Sequence, residues 1–252
     1  MPPVRVIARL DIKGENVIKG IHLEGLRIVG KPGEKARMYY SQGVDELLYM
    51  DAVASLYGRN NILPIIEEAA RDIFVPMTVG GGLRTLDDIK AVLRRGADKV
   101  AINTAAVHRP ELLREAAQAF GSQCIVLSVD VVRRGDNFWE VMTDNGREKT
   151  GRNVIDWVRE AEEMGIGELL LTSIDSEGTR SGFDVELIKQ VSDLVSVPVV
   201  PCGGAGNPGH VVDMVLETRA ESVACASVFH YDQYSIAEMK EALSEAGIEV
   251  RA

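Results

Sequence analysis

Two aspartates stand where a short apolar strand runs out. Asp11 closes the run from Val4, VRVIARLD, and Asp130 closes the run from Cys124, CIVLSVD, about half the chain later. A single carboxylate at such a position is as often a helix cap or loop former as a reactive group. A pair placed alike in two halves of a chain is a candidate general acid and general base, provided that the surroundings push the two pKa values apart. Alternate residues of a strand share a face, so an inward Asp11 brings Arg9, Ile7 and Arg5 inward with it. A cation one layer beneath Asp11 lowers that carboxyl's pKa, which makes Asp11 the expected base and Asp130 the better acid. The bland alternative for Arg9 is an interior ion pair of structural purpose only.

Two further runs, Thr78-Val-Gly-Gly-Gly-Leu83 and Pro201-Cys-Gly-Gly-Ala-Gly206, each follow an apolar strand. Each is complemented by polar side chains at the end of the next strand, Asn103-Thr104 or Ser227. Bare backbone N–H groups in such joints cradle phosphate. One run is weak evidence, since tight turns demand glycine anyway. Two equivalent runs imply a substrate with a phosphate at each end, and Lys19 is placed to clamp one of them. Arg5, Glu46, Lys99 and Glu168 fall instead at strand starts, where four alternating charges form either a buried ion-pair plug or a gate. The four histidines show no ligand spacing, and the three cysteines show neither a disulfide framework nor a metal pattern.

The elements that position these groups are strand-length apolar runs alternating with stretches of helical period. Eight strands are expected: Val4–Asp11, Glu46–Asp51, Val75–Gly80, Lys99–Asn103, Ile125–Asp130, Glu168–Ser173, Val197–Cys202 and Ser222–Ala226. Thr85–Arg95, Asn153–Met164 and Val185–Leu194 read as amphipathic helices. Eight βα units in 252 residues is the arithmetic of a TIM barrel. An internal repeat supports it: the segment from Gly43 to Asp51 matches Gly165 to Ser173, Gly80-Gly81 matches Gly203-Gly204, and Ala97 to Thr104 matches Ala220 to Ser227. The chain is therefore expected to be a single (βα)8 domain over 1–252, built from half-barrels of roughly 1–122 and 123–252. Two insertions follow the first strand of each half. Lys13 to Gly30 reads as a mobile loop over the mouth, and Asp144-Asn145-Gly146 as a type I′ turn between Trp139–Thr143 and Arg147–Thr150.

A hydrophobic content of 46% suffices for one large core, and a net charge of −10 argues against a nucleic-acid partner, which needs a basic stripe. No apolar run reaches the ~20 residues of a membrane span, and Arg5, Arg9 and Asp11 interrupt any signal-peptide core. Unpatterned cysteines fit a reducing cytoplasm.

Taken together, Leu10-Asp11, Gly43-Val-Asp-Glu-Leu47, Val79-Gly-Gly-Gly82, the run from Gly96 to Ala105, Phe120-Gly-Ser-Gln123, Leu171-Thr-Ser-Ile-Asp175, Gly203-Gly-Ala-Gly206 and Ala226-Ser-Val-Phe-His230 resemble the cyclase subunits of imidazole glycerol phosphate synthase, across essentially the whole chain. The resemblance implies a lyase of histidine biosynthesis. Ammonia from a glutaminase subunit, docked at the N-terminal face near Asp98, would pass a gate of Arg5, Glu46, Lys99 and Glu168. It would attack the ketose carbonyl of a bisphosphorylated ribotide, with Asp11 and Asp130 moving protons. Gly82, Asn103 and Thr104 would hold one phosphate, and Gly178, Gly203, Gly204, Ala226 and Ser227 the other; Lys19, Asp51 and Thr172 would contact substrate. No metal or redox cofactor is implied.

The chain departs from that pattern at Arg9, where a small residue is usual, in Arg27-Ile-Val-Gly-Lys-Pro32, in the Tyr-Gly-Arg-Asn-Asn of 57–61, at Val131-Val132-Arg133 and at Glu177. All lie on the mouth side, so ammonia delivery is the firmer expectation and substrate identity the weaker. The alternatives are a paralogue aminating another acceptor, such as a surface-polysaccharide sugar, a non-catalytic glutaminase-binding scaffold, and the related isomerase of the pathway, which needs neither ammonia nor a charged gate.

Overall fold

The computed structural model describes residues 2–54 and 62–251, so the departure at 57–61 lies outside the described residues. In chain order the strands are β1 (Arg5–Lys13), β2 (Asn16–Ile21), β3 (Glu24–Gly30), β4 (Glu46–Asp51), β5 (Met77–Gly80), β6 (Lys99–Ile102), β7 (Ile125–Gly135), β8 (Phe138–Thr143), β9 (Glu148–Asn153), β10 (Glu168–Ser173), β11 (Val199–Cys202) and β12 (Ser222–Cys225). Strands β1, β4, β5, β6, β7, β10, β11 and β12 pair in parallel in that order, and β12 pairs back onto β1 through Arg5↔Ser222 to Ala8↔Cys225. The result is a closed eight-stranded parallel barrel with helices between its strands, a (βα)8 fold.

The alternation within each strand builds two cores. Residues facing out, among them Val6, Ala8 and Leu10 of β1, pack with the inner faces of the helices into the main core. Residues facing in form a small plug of Ile7, Leu48, Ala101, Val126, Leu170 and Val200, joined by Cys202 and Ala224. With Ile7 inside, Arg5, Arg9 and Asp11 lie on the inner face too, two residues apart along one strand.

Each glycine joint feeds a capped helix. After the first, Thr85 caps helix Leu86–Arg94 in a capping box, its hydroxyl accepting from Asp88 N while the Asp88 carboxylate accepts from Thr85 N. After the second, the Asn207 side chain accepts from His210 N at the start of helix Pro208–Glu217. The expected helices near 85–95 and 153–164 start and stop within a residue of their predicted ends, and Val185–Leu194 matches.

The stretch from Lys13 to Gly30 departs from the mobile loop expected of it. It forms an antiparallel hairpin, β2 and β3, rather than a loop. β1 runs two residues past Asp11 and pairs with β2 through Asp11↔Ile18, Ile12↔Val17 and Lys13↔Asn16, which buries Val17 and Ile18. The glycines that suggested a loop serve close approach and turning: a Cβ on Gly20 would sit 2.0 Å from the Glu24 carbonyl oxygen, and Gly14 turns at φ 60°. The second insertion forms the expected hairpin, β8 and β9, with positive φ at Asp144, Asn145 and Gly146. β7 continues five residues beyond Asp130 to carry it.

Candidate active site

Both acids lie at the C-terminal mouth of the barrel, where strand ends and βα loops converge. Each is nearly inaccessible, yet their neighbours differ. Asp11 Oδ1 accepts from Arg9 Nε at 2.9 Å. The same guanidinium reaches across the floor of the mouth, Nη1 donating to Thr172 Oγ1 at 3.1 Å on β10 and to Cys202 Sγ at 3.4 Å on β11. Asp130 Oδ2 accepts from Asn103 Nδ2 at 2.9 Å, and Thr172 stands beside it in register.

The electrostatic outcome follows. Burial alone would raise both carboxyl pKa values. At Asp11 the Arg9 and Lys19 charges outweigh burial and leave the pKa below the ordinary value. At Asp130 burial prevails over Arg9, Thr172 and Asn103, and the pKa is raised. Burial lowers the pKa of Arg9 but the Asp11 carboxylate more than reverses this, so the guanidinium stays charged. Burial also pushes His230 down to about 4, leaving it neutral in neutral solution; its Nδ1 faces the Tyr39 hydroxyl at 2.6 Å.

The two glycine joints open differently. Gly81 and Gly82, with Asn103 and Thr104, line a cavity of about 350 Å³ that reaches Asp130 and is walled by Arg84 and Arg109. Thr104 Oγ1 accepts from Asp144 N at 3.0 Å, which ties the loop of the second hairpin to this wall. Asn103 directs its amide at Asp130 and the Met142 carbonyl, so it supports the acid as well as the cavity. Around Gly203, Gly204, Ala226 and Ser227 only about 10 Å³ of space remains, lined on one side by the buried ion pair of Lys19 and Glu177. Beyond that pair a cavity of about 700 Å³ opens between Gly178, Arg180, Arg27, Ser227 and Tyr231, with Arg180 stacked 4.7 Å from the Tyr231 ring centroid.

Asp51 lines the first cavity, yet its Oδ1 accepts from Val53 N and Ala54 N at 3.0 and 2.9 Å, a loop-forming role. Lys19 is brought to the mouth by β2, where Glu177 takes its charge. Glu177, Arg84 and Arg109 carry no repeat signal or motif spacing by which sequence alone would find them; Glu177 stands out there only as a departure from the family pattern.

At the opposite end, Arg5 donates to Glu46 at 3.1 Å and to Glu168 at 2.5 Å, and Lys99 donates to Glu46 at 2.8 Å and to Glu168 at 2.6 Å. Thr78 Oγ1 donates to Glu46 Oε1 at 2.5 Å. A narrow cavity lined by Glu46, Glu168, Thr78 and the apolar plug residues lies just inside this ring. Burial works against Glu168, but Arg5 and Lys99 hold its pKa below the usual carboxylate range. Asp98 is exposed at the same end, where its carboxylate accepts from Met77 N at 2.8 Å. Among the described residues no group of three or more His, Cys, Asp or Glu is arranged to hold a metal ion, and no helix is long and apolar enough to cross a membrane.

A family model described as histidine biosynthesis protein matches residues 5–235. A Legionella pneumophila protein named imidazole glycerol phosphate synthase subunit HisF is 62% identical over 206 residues, covering 82% of this chain and 97% of the relative. Proteins of the same name from Streptococcus sanguinis and Streptococcus gordonii are 46% and 45% identical over 247 residues, 98% of this chain and 98% of each relative. The chain belongs to the histidine biosynthesis protein family, in the branch whose members are named as that synthase subunit.

Proposed function

We infer that this chain is the cyclase subunit of imidazole glycerol phosphate synthase, a lyase of histidine biosynthesis. It uses ammonia to convert the phosphoribulosyl formimino aminoimidazole carboxamide ribotide into imidazole glycerol phosphate and aminoimidazole carboxamide ribotide. The observation that carries this reading is the unequal acid pair, Asp11 with its pKa held down by Arg9 and Asp130 with its pKa raised by burial, set between two glycine joints at one mouth. Ammonia adds to the ketose carbonyl. Asp11 accepts a proton from the resulting ammonium adduct and Asp130 gives one to the former carbonyl oxygen, which leaves as water; the imidazole then closes as the aminoimidazole carboxamide ribotide departs as its amine. Gly82 and Thr104 hold one phosphate, with Asn103 bridging to Asp130; Gly178, Gly203, Gly204, Ala226 and Ser227 hold the other once Lys19 turns from Glu177 to the phosphate and opens the joint. Lys19, Asp51 and Thr172 contact the substrate between them. The reading calls for no metal or redox cofactor.

A glutaminase subunit docks at the N-terminal face beside Asp98, and ammonia enters through Arg5, Glu46, Lys99 and Glu168. Four charges that hydrogen-bond one another in a closed ring can part without leaving any one of them alone, which suits a gate better than a fixed plug. The free thiols of Cys124, Cys202 and Cys225 accord with work in the cytoplasm.

The test is turnover of the ribotide by the purified chain with an ammonium salt at alkaline pH and no partner, followed by loss of substrate absorbance. Robust turnover is expected. A second reading, amination of another acceptor, is favoured by one observation: Arg9 fills the floor of the mouth where a small residue is usual. Absence of turnover by folded, phosphate-binding protein would select it.

A further inference from the structure

We propose that Arg9 is a positioning residue that divides the labour of the acid pair, holding Asp11 ready to accept a proton and leaving Asp130 to donate one. The proposal rests on the cyclase reading for the reaction that the pair serves, and on the geometry of the mouth for the division itself.

Arg9 is 3% exposed and belongs to the same strand as Asp11. Its Nε is committed to Asp11, which aligns that carboxylate from below and leaves the other oxygen, Oδ2, for a reacting proton. Its Nη1 is committed to Thr172, whose strand neighbour in register is Asp130 and whose side chain hydrogen-bonds Asp130. One guanidinium thus touches the first acid directly and the second only through a hydroxyl. Fork geometry makes this possible, because two donors of a planar group point to different strands at once. The inequality is built into the strands: two residues before Asp11 stands Arg9, whereas two residues before Asp130 stands Ser128.

Of the other groups around Asp11, Lys19 adds to the same distinction without a hydrogen bond to either acid, and the rest do not. Lys19, from β2, is paired with Glu177 from the loop after β10. His230, from the helix after β12, is pushed down to about 4 by burial and is neutral at working pH. Cys202 on β11 is buried and its pKa is raised, so it is a neutral thiol. Asp51 on β4 is turned to its own loop, and Asp130 on β7 faces across the mouth. Arg9, the larger of the two charges on Asp11 and the one that hydrogen-bonds it, is therefore the group that sets Asp11 apart most. A buried ion pair kept for stability alone is a poor bargain against apolar packing, which supports a functional reason for this one.

The test is carboxyl carbon NMR on the full-length chain labelled in aspartate, titrated without substrate, with Asp11→Asn and Asp130→Asn to assign the two signals. In the parent protein Asp11 is expected to titrate below the ordinary aspartate value and Asp130 above it. Arg9→Gln keeps hydrogen-bond donors but drops the charge, and should raise the Asp11 midpoint by about 1–3 pH units. Arg9→Lys should keep it low. With free ammonia held constant across pH, Arg9→Gln should lose turnover most at low pH and regain it as pH rises through the new Asp11 midpoint. An unmoved Asp11 titration in Arg9→Gln, or the same fractional loss of turnover at every pH, would overturn the proposal. Should Arg9→Gln fail to fold, coincident or reversed midpoints in the parent would overturn it equally. The expected titrations in a parent that never turns over the ribotide would uphold the role of Arg9 and refute the cyclase reading.

Discussion

The two halves of this barrel present the same elements in the same order, yet they treat their strand-terminal acids differently. In the first half a charged residue lies beneath the acid, and the glycine joint opens onto a free cavity. In the second half a serine lies beneath the acid, and the glycine joint is closed down around the buried pair of Lys19 and Glu177. A repeat fixes where backbone goes; the chemistry comes from the few positions at which the copies diverge. Two identical acids would compete for one proton, whereas two acids in different fields can pass it on.

The largest effect that tests this contrast comes from the acids themselves. Asp130→Asn and Asp11→Asn should each lower turnover by about 10²–10⁴-fold, the range of a lost general acid or base. Near-normal rates in either variant, by the absorbance assay, would refute the assignment. Stability should separate the two. Asp11 has a depressed pKa, so its ionised form stabilises the fold above the unfolded value, and that contribution fades as pH falls through the folded pKa. Asp11→Asn also leaves Arg9 buried without its anion, and breaking such a pair costs about 3–5 kcal/mol. Asp130 has a raised pKa, so its ionised form costs stability above that pKa, and the cost is relieved as pH falls through it. Asp130→Asn should then be neutral or stabilising at neutral pH. Urea midpoints at pH 7 that fall equally for both variants would mean that the acids are not in different fields.

This contrast marks how much the sequence disclosed. The eight barrel strands are legible because each is a short apolar run closed by glycine or a polar end, and the repeat relates the strands of one half to those of the other. Parity alone placed Arg9 under Asp11. What stayed hidden was contact between distant strands: nothing in β1 announces that Arg9 also reaches Thr172, 163 residues away. The hairpin of β2 and β3 reads as a loop in sequence because its glycines sit where strands approach and turn, which there looks the same as flexibility. The pairing of Lys19 with Glu177 was invisible for the same reason as the Arg9 contact, since the two residues meet only after the barrel closes.

The glycine joints give the next effect. A Cβ on Gly204, at φ 112°, would lie 2.0 Å from the Gly182 carbonyl oxygen, a backbone atom that cannot yield without moving its loop. A Cβ on Gly82, at φ 70°, would meet the Ala54 methyl at 2.5 Å in a conformation closer to the left-handed region that other residues occasionally adopt. Gly204→Ala should therefore cost more than Gly82→Ala, with each loss of order 1–3 kcal/mol in urea denaturation. Phosphate binding, followed by calorimetry with inorganic phosphate, should weaken in both. The reverse order of stability would mean that the closed second joint is the more pliable of the two.

The smallest effect sets the baseline for all of these, because it falls where the halves agree. The helices that follow the two joints are each capped by one side chain, Thr85 through Asp88 N and Asn207 through His210 N. Thr85→Ala and Asn207→Ala each remove one acceptor for a helix-terminal N–H and should cost about 1 kcal/mol. Neither residue touches the acids, so turnover with ammonia should stay within twofold of the parent, about 0.4 kcal/mol at 1.36 kcal/mol per tenfold. Equal small losses of stability with unchanged rates would show that the scaffold is alike in the two halves and that the asymmetry belongs to the mouth. A cap variant that shifted the pH profile of turnover would instead mean that helix position feeds into the field at the acids, and the distinction between Arg9 and Ser128 would no longer suffice to explain it.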